Sequence, residues 1–579
     1  MAKKDFQNWS KDKLLHEYKE LLKRKRFGIV WEDKSEEIAE MCKTQLPVLK
    51  EIKDKELLND PNDPTNIIIE GDNYHSLSVL NYTHQKSIDV IYIDPPYNTG
   101  NKSWKYNNHY VEKEDRYKHS KWLSFMSKRL RLARKLLTEK GIIIVSIDDY
   151  EHHTLRALMD ELYGEQNRLG TLVAIHNPGG RQDDEFFATA HEYMLVYAKN
   201  VNFAKVGRLD ISDRKLAEYK YEDEYGKYKL REYRRSGAHS MPEDRPNLWY
   251  PIYINPKQLD ITTTKKKGYI EIVPIDVSGT KRVWRWNPST LETKKKKYIE
   301  IKKNGERFNI FVKERLDDNE GQKSKTLWNE SYYSSAVGTA ELKDILSDTF
   351  GNRKIFEYPK SKFLIKDILE ITAGSQSVIL DFFAGSGTTG QAVLELNKKD
   401  GGKRKFILCT DNEDNNGTGT KIARDICYPR IKNVMSGYTT NKKKVEGLGG
   451  NLRYYSTLLV DNVKTDNDKR IFTSRSTEML CLAEATFDVV IEKKDLFAIY
   501  ENENQMIGII YDEDAIADFK NEASKHKKSF IVYVFSYDHT YNEEDFEDMN
   551  NLKTVKPIPE VILNVYRKIY KDLYKPRNL

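Results

Sequence analysis

The sequence predicts an α/β protein: an open, mainly parallel sheet, interrupted by an inserted domain and followed by a small α+β domain. Three observations carry that prediction. Short β-branched runs at Ile67 to Ile69, Ile88 to Ile93 and Ile142 to Ile147 alternate with helix-like stretches, the texture of a parallel sheet. The same texture returns at Val378 to Phe382, where a glycine-rich turn leads into another helix-like stretch. In between, the periodicity dissolves into polar, aromatic and basic sequence.

Along the chain, Leu14 to Lys25 place Leu and Tyr at helical intervals among Lys and Glu, which predicts an amphipathic helix in an amino-terminal extension over 1–60. The first half of the sheet domain is assigned to 61–200. Within it, Ser120 to Leu137 repeats apolar positions at Leu123, Met126, Leu130, Ala133 and Leu137, and Gly141 closes the connection to the next strand, a strand-helix-strand crossover. The insertion is assigned to 201–349, with basic stretches at Arg231 to Arg235, Lys265 to Lys267 and Lys294 to Lys297 and the triplet Trp284-Arg285-Trp286. The second half of the sheet domain, 350–450, holds a strand at Val378 to Phe382, a helix from Thr388 to Leu396 and a strand at Phe406 to Cys409. Apolar runs at Phe487 to Ile491 and Phe530 to Phe535 place the α+β domain in 451–579.

A chain of 579 residues exceeds what one core fills, so two or three domains are expected. Its 96 basic and 89 acidic residues leave a formal charge of +7, too small an excess to name a nucleic acid partner. The 36 tyrosines, in company with Lys and Arg, point further, because such surfaces stack on bases and neutralise phosphates. The four cysteines lack paired spacing, and the adjacent His152 and His153 point apart on a helix without carboxylate or cysteine partners, so neither a disulfide framework nor a catalytic metal is expected. The amino terminus has no apolar signal core and no uncharged run approaches the ~20 residues of a membrane span, so a cytoplasmic setting is expected.

Two motifs carry chemistry. The first is Asp381-Phe382-Phe383-Ala384-Gly385-Ser386-Gly387-Thr388-Thr389-Gly390, in which glycines let a ligand approach the backbone. A nucleoside triphosphate loop is excluded, because Gln391-Ala392 stand where Lys and a hydroxyl residue must neutralise phosphates and hold magnesium. A nicotinamide dinucleotide and S-adenosylmethionine both remain, with Asp411 or Glu413 at the end of the next strand able to accept ribose hydroxyls. The second motif, Asp94-Pro95-Pro96-Tyr97, stands at the carboxyl end of the strand Ile88 to Ile93, the edge where open α/β sheets bind ligands. Prolines donate no amide hydrogen, so the carbonyls of Asp94 and Pro95 can face a pocket as acceptors. A carboxylate and a carbonyl aligned on an exocyclic amine favour the tetrahedral nitrogen that attacks a methyl sulfonium. Tyr97 offers a stacking face, and a base can reach it only by leaving the duplex.

These two motifs, on one sheet and with the glycine turn about 290 residues after the first, resemble the β group of DNA amino-methyltransferases. The chain is more similar still to the modification (Mod) subunits of type III restriction-modification systems. That resemblance covers 10–200 and 330–460 and runs through Gly28-Ile-Val-Trp31-Glu-Asp33, Glu70-Gly-Asp72-Asn-Tyr74, Ser146-Ile-Asp-Asp149, His191-Glu-Tyr193, Tyr428-Pro-Arg-Ile431 and Gly447-Leu-Gly-Gly-Asn-Leu452. It implies a Rossmann-like S-adenosylmethionine-dependent methyltransferase sheet with circularly permuted motif order and an inserted target recognition domain. It also implies methyl transfer to N6 of a flipped-out adenine in double-stranded DNA; relatives acting on cytosine usually open the motif with Ser.

Carried over by residue, the resemblance implies that Asp94 binds the target amine, Pro95 accepts from it and Tyr97 stacks on the adenine, with Tyr193 or Phe187 as the opposite wall. Asp72, Asp381, Phe383, Ala384, Gly385, Gly387 and Thr388 would line the cofactor, and the segment Phe356 to Leu364, with Lys360 and Lys362, would cover its carboxylate. Asp72 is equally suited to cap a helix. Where many relatives carry an acid at the end of the ribose strand, this chain has Thr410, followed by Asp411 and Asn412. In the insertion, Arg234, Arg235, Lys265, Trp284 and Arg285 are the candidates for phosphates and base edges. Relatives of this kind work as homodimers beside a separate helicase-nuclease restriction subunit, and both partners are expected here.

Overall fold

The computed structural model describes residues 10–15, 29, 31–100, 105–106, 109–211, 213–351, 356–412, 419–440 and 443–573. Most of the helix expected over Leu14 to Lys25, and the ribose candidate Glu413, lie outside these residues. The chain divides into two compact units, one of residues 1–207 with 325–579 and the other of residues 208–324.

The larger unit is built on a ten-stranded sheet. Its strands are β1 (Gln45–Glu51), β2 (Thr65–Glu70), β3 (Ile88–Ile93), β4 (Leu137–Ile147), β5 (Arg168–Ile175), β6 (His191–Ala198), β7 (Leu327–Trp328), β8 (Val378–Asp381), β9 (Lys405–Thr410) and β10 (Asn451–Asp461). The spatial order is β1-β10-β2-β9-β8-β3-β4-β6-β5-β7. From β10 to β4 all neighbours are parallel, whereas β1 with β10, β4 with β6 and β6 with β5 are antiparallel. Helices cover both faces of a parallel sheet, so the Ile and Val residues of β2, β3 and β4 are buried whichever way they point, and the strands read as continuous apolar runs. Among the helices, α1 (Asn73–Thr83) and α2 (Lys118–Leu136) pack side by side, and α2 buries Leu123, Met126, Leu130 and Ala133. Further along the chain come α3 (His152–Tyr163), α4 (Lys362–Thr372), α5 (Thr388–Asp400) and α6 (Tyr428–Ser436).

One topological fact positions the site. β8 and β9 lie between β2 and β3, so two strands from beyond the insertion fill the gap between the two strands that open the sheet. The carboxyl ends of β2, β9, β8, β3 and β4 therefore share one edge.

The structure moves several expected boundaries. β1, inside the segment expected to be a helical extension, and β10, inside the expected carboxyl-terminal domain, both belong to the main sheet, where β1 pairs over its whole length with the second half of β10. Residues 325–349 go with the sheet unit: β7 pairs with β5, and a helix follows at Ser335–Ile345. The carboxyl-terminal region forms a five-stranded sheet in the order Asp488–Lys493, Phe497–Glu501, Gln505–Ile510, Ser529–Phe535, Leu552–Ile558. It is not a separate body, because Ala498, Ile531, Ile562 and Tyr566 share one hydrophobic core with Val48, Leu77 and Ile91.

The smaller unit holds a four-stranded sheet in the order Ile299–Asn304, Arg307–Arg315, Gly226–Glu232, Tyr221–Asp223, and a three-stranded sheet in the order Ile261–Thr262, Ile252–Ile254, Ile270–Ile272. Its core gathers Tyr233, Ile252, Ile254, Trp284, Leu291 and Ile310. The helix Pro288–Tyr298 starts where Asn287 accepts a hydrogen bond from the Thr290 amide at 2.8 Å.

Candidate active site

Asp94 to Tyr97 leave the end of β3 as a turn that surrounding residues hold rigidly. The Trp122 indole of α2 donates to the Pro96 carbonyl at 2.7 Å, so that carbonyl belongs to the scaffold. Asn98 follows at φ +58°, a left-handed conformation that Asn tolerates, and its fully buried amide donates to Glu151, which also holds His119 at 2.6 Å. In the pocket the Tyr97 hydroxyl donates to Asp94 Oδ1 at 2.6 Å and accepts from Lys360 Nζ at 2.7 Å. Lys360 Nζ is also 3.4 Å from Asp94 Oδ1 and paired with Glu192 Oε2. Among the described residues the polar contacts of Asp94 fall on Oδ1, so Oδ2 can take an incoming amine, and 28% of the side chain remains exposed. Burial raises the Asp94 carboxyl above its ordinary value, with the Lys360 ammonium opposing the rise.

This corrects one expectation. The resemblance assigns Lys360 to the cofactor's carboxylate, whereas its ammonium sits among Asp94, Tyr97 and Glu192. Lys362 is closed off by ion pairs with Glu341 and Glu395. Of the two candidates for the opposite wall, Tyr193 is tied to Asp149 at 2.9 Å and lies against the His152 ring, centroids 4.1 Å apart, and Phe187 stands 89% exposed on the loop between β5 and β6.

The glycine turn leaves β8 beside this pocket, since Leu380 pairs with Ile91 of β3. Gly385 and Gly387 have φ of +48° and +81°, and a Cβ on Gly385 would lie 3.2 Å from the Phe356 ring. The turn is thus a bare backbone cradle whose glycines leave no room for side chains, with Phe356 against Gly385 and Cys427 against Gly387. Ala384 is fastened by its amide to the Cys409 carbonyl of β9 at 3.2 Å. Phe383, partly buried, lies 5.9 Å from Phe125 of α2, centroid to centroid. Two predicted cofactor residues serve the turn itself. Asp381 is 3% exposed and accepts from the Phe383 amide at 3.0 Å and the Thr389 hydroxyl at 2.6 Å. Thr388 is buried and accepts from Arg430 Nη1 at 2.7 Å.

Arg430 of α6 is fully buried under the turn and also donates to Ser386 Oγ and Gln391 Oε1, each at 3.0 Å. Sequence reasoning singles out neither Arg430 nor Glu192. For Glu192 the signal is there, because a carboxylate leading the apolar run of β6 needs a buried partner; in α6, Lys432 stands two residues from Arg430 and the sequence does not tell which of the two is buried.

At the ends of β2 and β9, Asp72 caps α1, accepting from the Tyr74 amide at 2.6 Å, and faces Arg129 at 3.5 Å. Its carboxylate therefore has a structural task, although 21% of the side chain is exposed. Glu70 is held by Arg424 at 2.9 Å and by the Tyr454 hydroxyl at 2.8 Å. Asp411 is half-buried, with its carbonyl accepting from the Ala423 amide at 3.0 Å.

The residues expected to touch DNA separate within the smaller unit. Trp284 is only 3% exposed, stacks on Tyr233 at 5.3 Å and donates its indole N–H to the Tyr250 carbonyl at 2.8 Å, so it is core rather than a base reader. Arg234 pairs with Glu232 and the Ile275 carbonyl. Lys265 is exposed. Burial lowers Arg285 from the ordinary guanidinium range and the nearby charges of Arg231 and Arg235 lower it further, against the carboxylates of Glu314 and Glu232.

The DNA methylase family matches residues 88–415. The Type II methyltransferase M.KpnI of Klebsiella pneumoniae is 37% identical over 385 residues, covering 65% of this chain and 89% of that protein. The Type III restriction-modification enzyme EcoPI Mod subunit of Escherichia phage P1 is 34% identical over 421 residues, covering 66% of this chain and 64% of that subunit. The corresponding StyLTI Mod subunit of Salmonella typhimurium is 30% identical over 402 residues, covering 64% of this chain and 55% of that subunit. The family match contains both the Asp94 turn and the Gly385 cradle, which the fold brings to neighbouring strand ends, and the chain belongs to the DNA methylase family: it is an S-adenosylmethionine-dependent DNA methyltransferase of the restriction-modification kind.

Proposed function

We propose that this methyltransferase modifies N6 of adenine at a specific site in double-stranded DNA, as the modification and specificity subunit of a type III restriction-modification system. The observation that carries the reading is the adjacency of Asp94 and the Gly385 cradle at the ends of two paired strands, β3 and β8. The cofactor supplies an electrophilic methyl group, and the side-chain-free backbone at Gly385, with the Phe356 ring beside it, suits a flat, close-lying ligand. Asp94 Oδ2 accepts from the exocyclic amine and orients its lone pair. Tyr97, its hydroxyl anchored on Asp94 and Lys360, presents its ring to the flipped base, offsetting part of the few kcal/mol that flipping costs. Both adenine and cytosine carry an exocyclic amine, and adenine is favoured on the resemblance drawn from the opening Asp.

The 208–324 unit is the target recognition domain in this reading, with Arg235, Arg285 and Lys265 on phosphates or bases and Trp284 in its core. The protein works as a homodimer in the cytoplasm beside a separate restriction subunit. Among the described residues no helix is long and apolar enough to cross a membrane.

The test is methyl transfer from labelled cofactor to unmodified DNA by wild type and Asp94→Ala, with single-molecule sequencing of the product. N6-methyladenine in one short motif, absent with the variant, is expected. Methylation of cytosine, or cofactor binding without any methylation, would overturn the reading.

A further inference from the structure

Methylating an amine breaks one N–H bond: the electron pair stays on nitrogen and the proton must pass to an acceptor, here Asp94 Oδ2. A carboxylate beside an unopposed ammonium is a weak acceptor, and one buried without a cation is protonated before substrate arrives. We propose that Lys360 and Glu192 form a buried ion pair that sets the basicity of Asp94 between these limits, as positioning residues for the amine proton; the proposal rests on the methyltransferase reading.

Three observations support it. Lys360 Nζ lies 3.4 Å from Asp94 Oδ1 and is simultaneously paired with Glu192, so the two carboxylates share one cation. Glu192 is 1% exposed on β6, in register with Ala174 of β5, and its Oε1 makes no hydrogen bond among the described residues. A buried carboxylate with one idle oxygen is a poor structural staple, and what it does contribute is charge. Third, the Tyr97 hydroxyl, 2.6 Å from Asp94, 2.7 Å from Lys360 and 3.2 Å from Glu192, ties all three groups to the ring that would meet the base.

The surroundings give the sign. Asp94 is faced by Lys360, Glu192 and Tyr97, by Tyr92 of β3 and by Asp381 of β8, while Asp148 at the end of β4 and His176 beyond β5 face the pair. Burial raises the Asp94 carboxyl, Lys360 pulls it back and Glu192 pushes it up. Removing Glu192 therefore makes Asp94 more acidic, and removing Lys360 makes it less so.

The experiment measures single-turnover methyl transfer against pH for the full chain, Glu192→Gln, Lys360→Met, the double variant and Lys360→Arg. In parallel, isotope-edited infrared difference against Asp94→Asn follows the Asp94 carboxyl without cofactor or DNA. Glu192→Gln is expected to move the acid limb and the carboxyl titration to lower pH by about one pH unit, with a lower plateau, and Lys360→Met to move both upward by about as much. The double variant is expected to fall between the two single variants and above wild type, because the lowering by Lys360 outweighs the raising by Glu192, and Lys360→Arg to restore most activity. Shifts in the same direction, or a lost plateau with no shift, overturn the proposal. If Lys360→Met does not fold, Glu192→Gln alone decides, because a merely structural role leaves the carboxyl titration in place. Wild type that leaves adenine unmethylated refutes the methyltransferase reading instead, and the infrared titration still tests the pair.

Discussion

Replacing Asp381 with Asn separates the glycine turn's architecture from its chemistry. Asp381 is 3% exposed, and burial raises its carboxyl from 3.8 to about 7, against the two hydrogen bonds it accepts. The folded value lies above the unfolded one, so between about pH 4 and pH 7 the native chain keeps a proton that the unfolded chain gives up. Stability contributed by the protonated group is complete below that window and is lost as pH rises through it. A rise of roughly three pH units corresponds to about 4 kcal/mol, which is an upper bound. Asn keeps both contacts without the charge: its oxygen accepts from the Phe383 amide and its nitrogen donates to the Thr389 hydroxyl. Asp381→Asn is therefore expected to match wild type near pH 4 and to exceed it by up to about 4 kcal/mol above pH 7. Urea unfolding of both proteins in parallel across that range measures the difference. A difference flat with pH, or a variant less stable at the alkaline end, would refute the reasoning. Because both Asp381 oxygens accept hydrogen bonds within the turn, cofactor affinity is expected to stay within a few-fold of wild type.

Arg430→Met removes the hydrogen bonds to Ser386, Thr388 and Gln391 from beneath the turn, and calorimetry is expected to show cofactor affinity falling about tenfold, roughly 1.4 kcal/mol; unchanged affinity would mean that the turn holds its own shape. Gly387→Ala forces a Cβ to 3.1 Å from Cys427 Sγ at φ +81° and is expected to cost at least the ~1–2 kcal/mol of a left-handed residue, with weaker cofactor binding. Gly401→Ala, at φ +69° with open space around it, provides the control, lowering the melting temperature without touching cofactor affinity. Trp284→Ala is expected to destabilise the 208–324 unit by about 3–5 kcal/mol, seen as proteolysis within it. Arg235→Ala should leave the fold intact and reduce the salt dependence of DNA binding by about one phosphate's worth, measured by fluorescence anisotropy; an unaltered slope would remove Arg235 from the interface.

Local sequence determined the elements and the two turns that carry chemistry. β3 and β8 are legible because a strand buried on both faces must be continuously apolar, and the turn after each strand is dictated by its own residues: prolines fix one, and glycines permit the left-handed steps of the other. The α2 helix is legible from one apolar stripe. Only the tertiary structure decided which distant groups meet. β1 and β10 carry no mark that assigns them to the main sheet rather than to the flanking regions, since edge membership depends on pairing partners several hundred residues apart. Trp284 has the same local company as an exposed base reader, and its burial comes from Tyr233 and Tyr250 closing over it. Lys360 adjoins the cofactor segment in sequence, yet its charge goes to Asp94 and Glu192, because desolvated carboxylates draw the nearest cation across the fold whatever the chain distance. Periodicity and turn chemistry act over a few residues and so can be read along the chain, whereas a buried charge is satisfied through space, and its partner is settled only when the sheet closes.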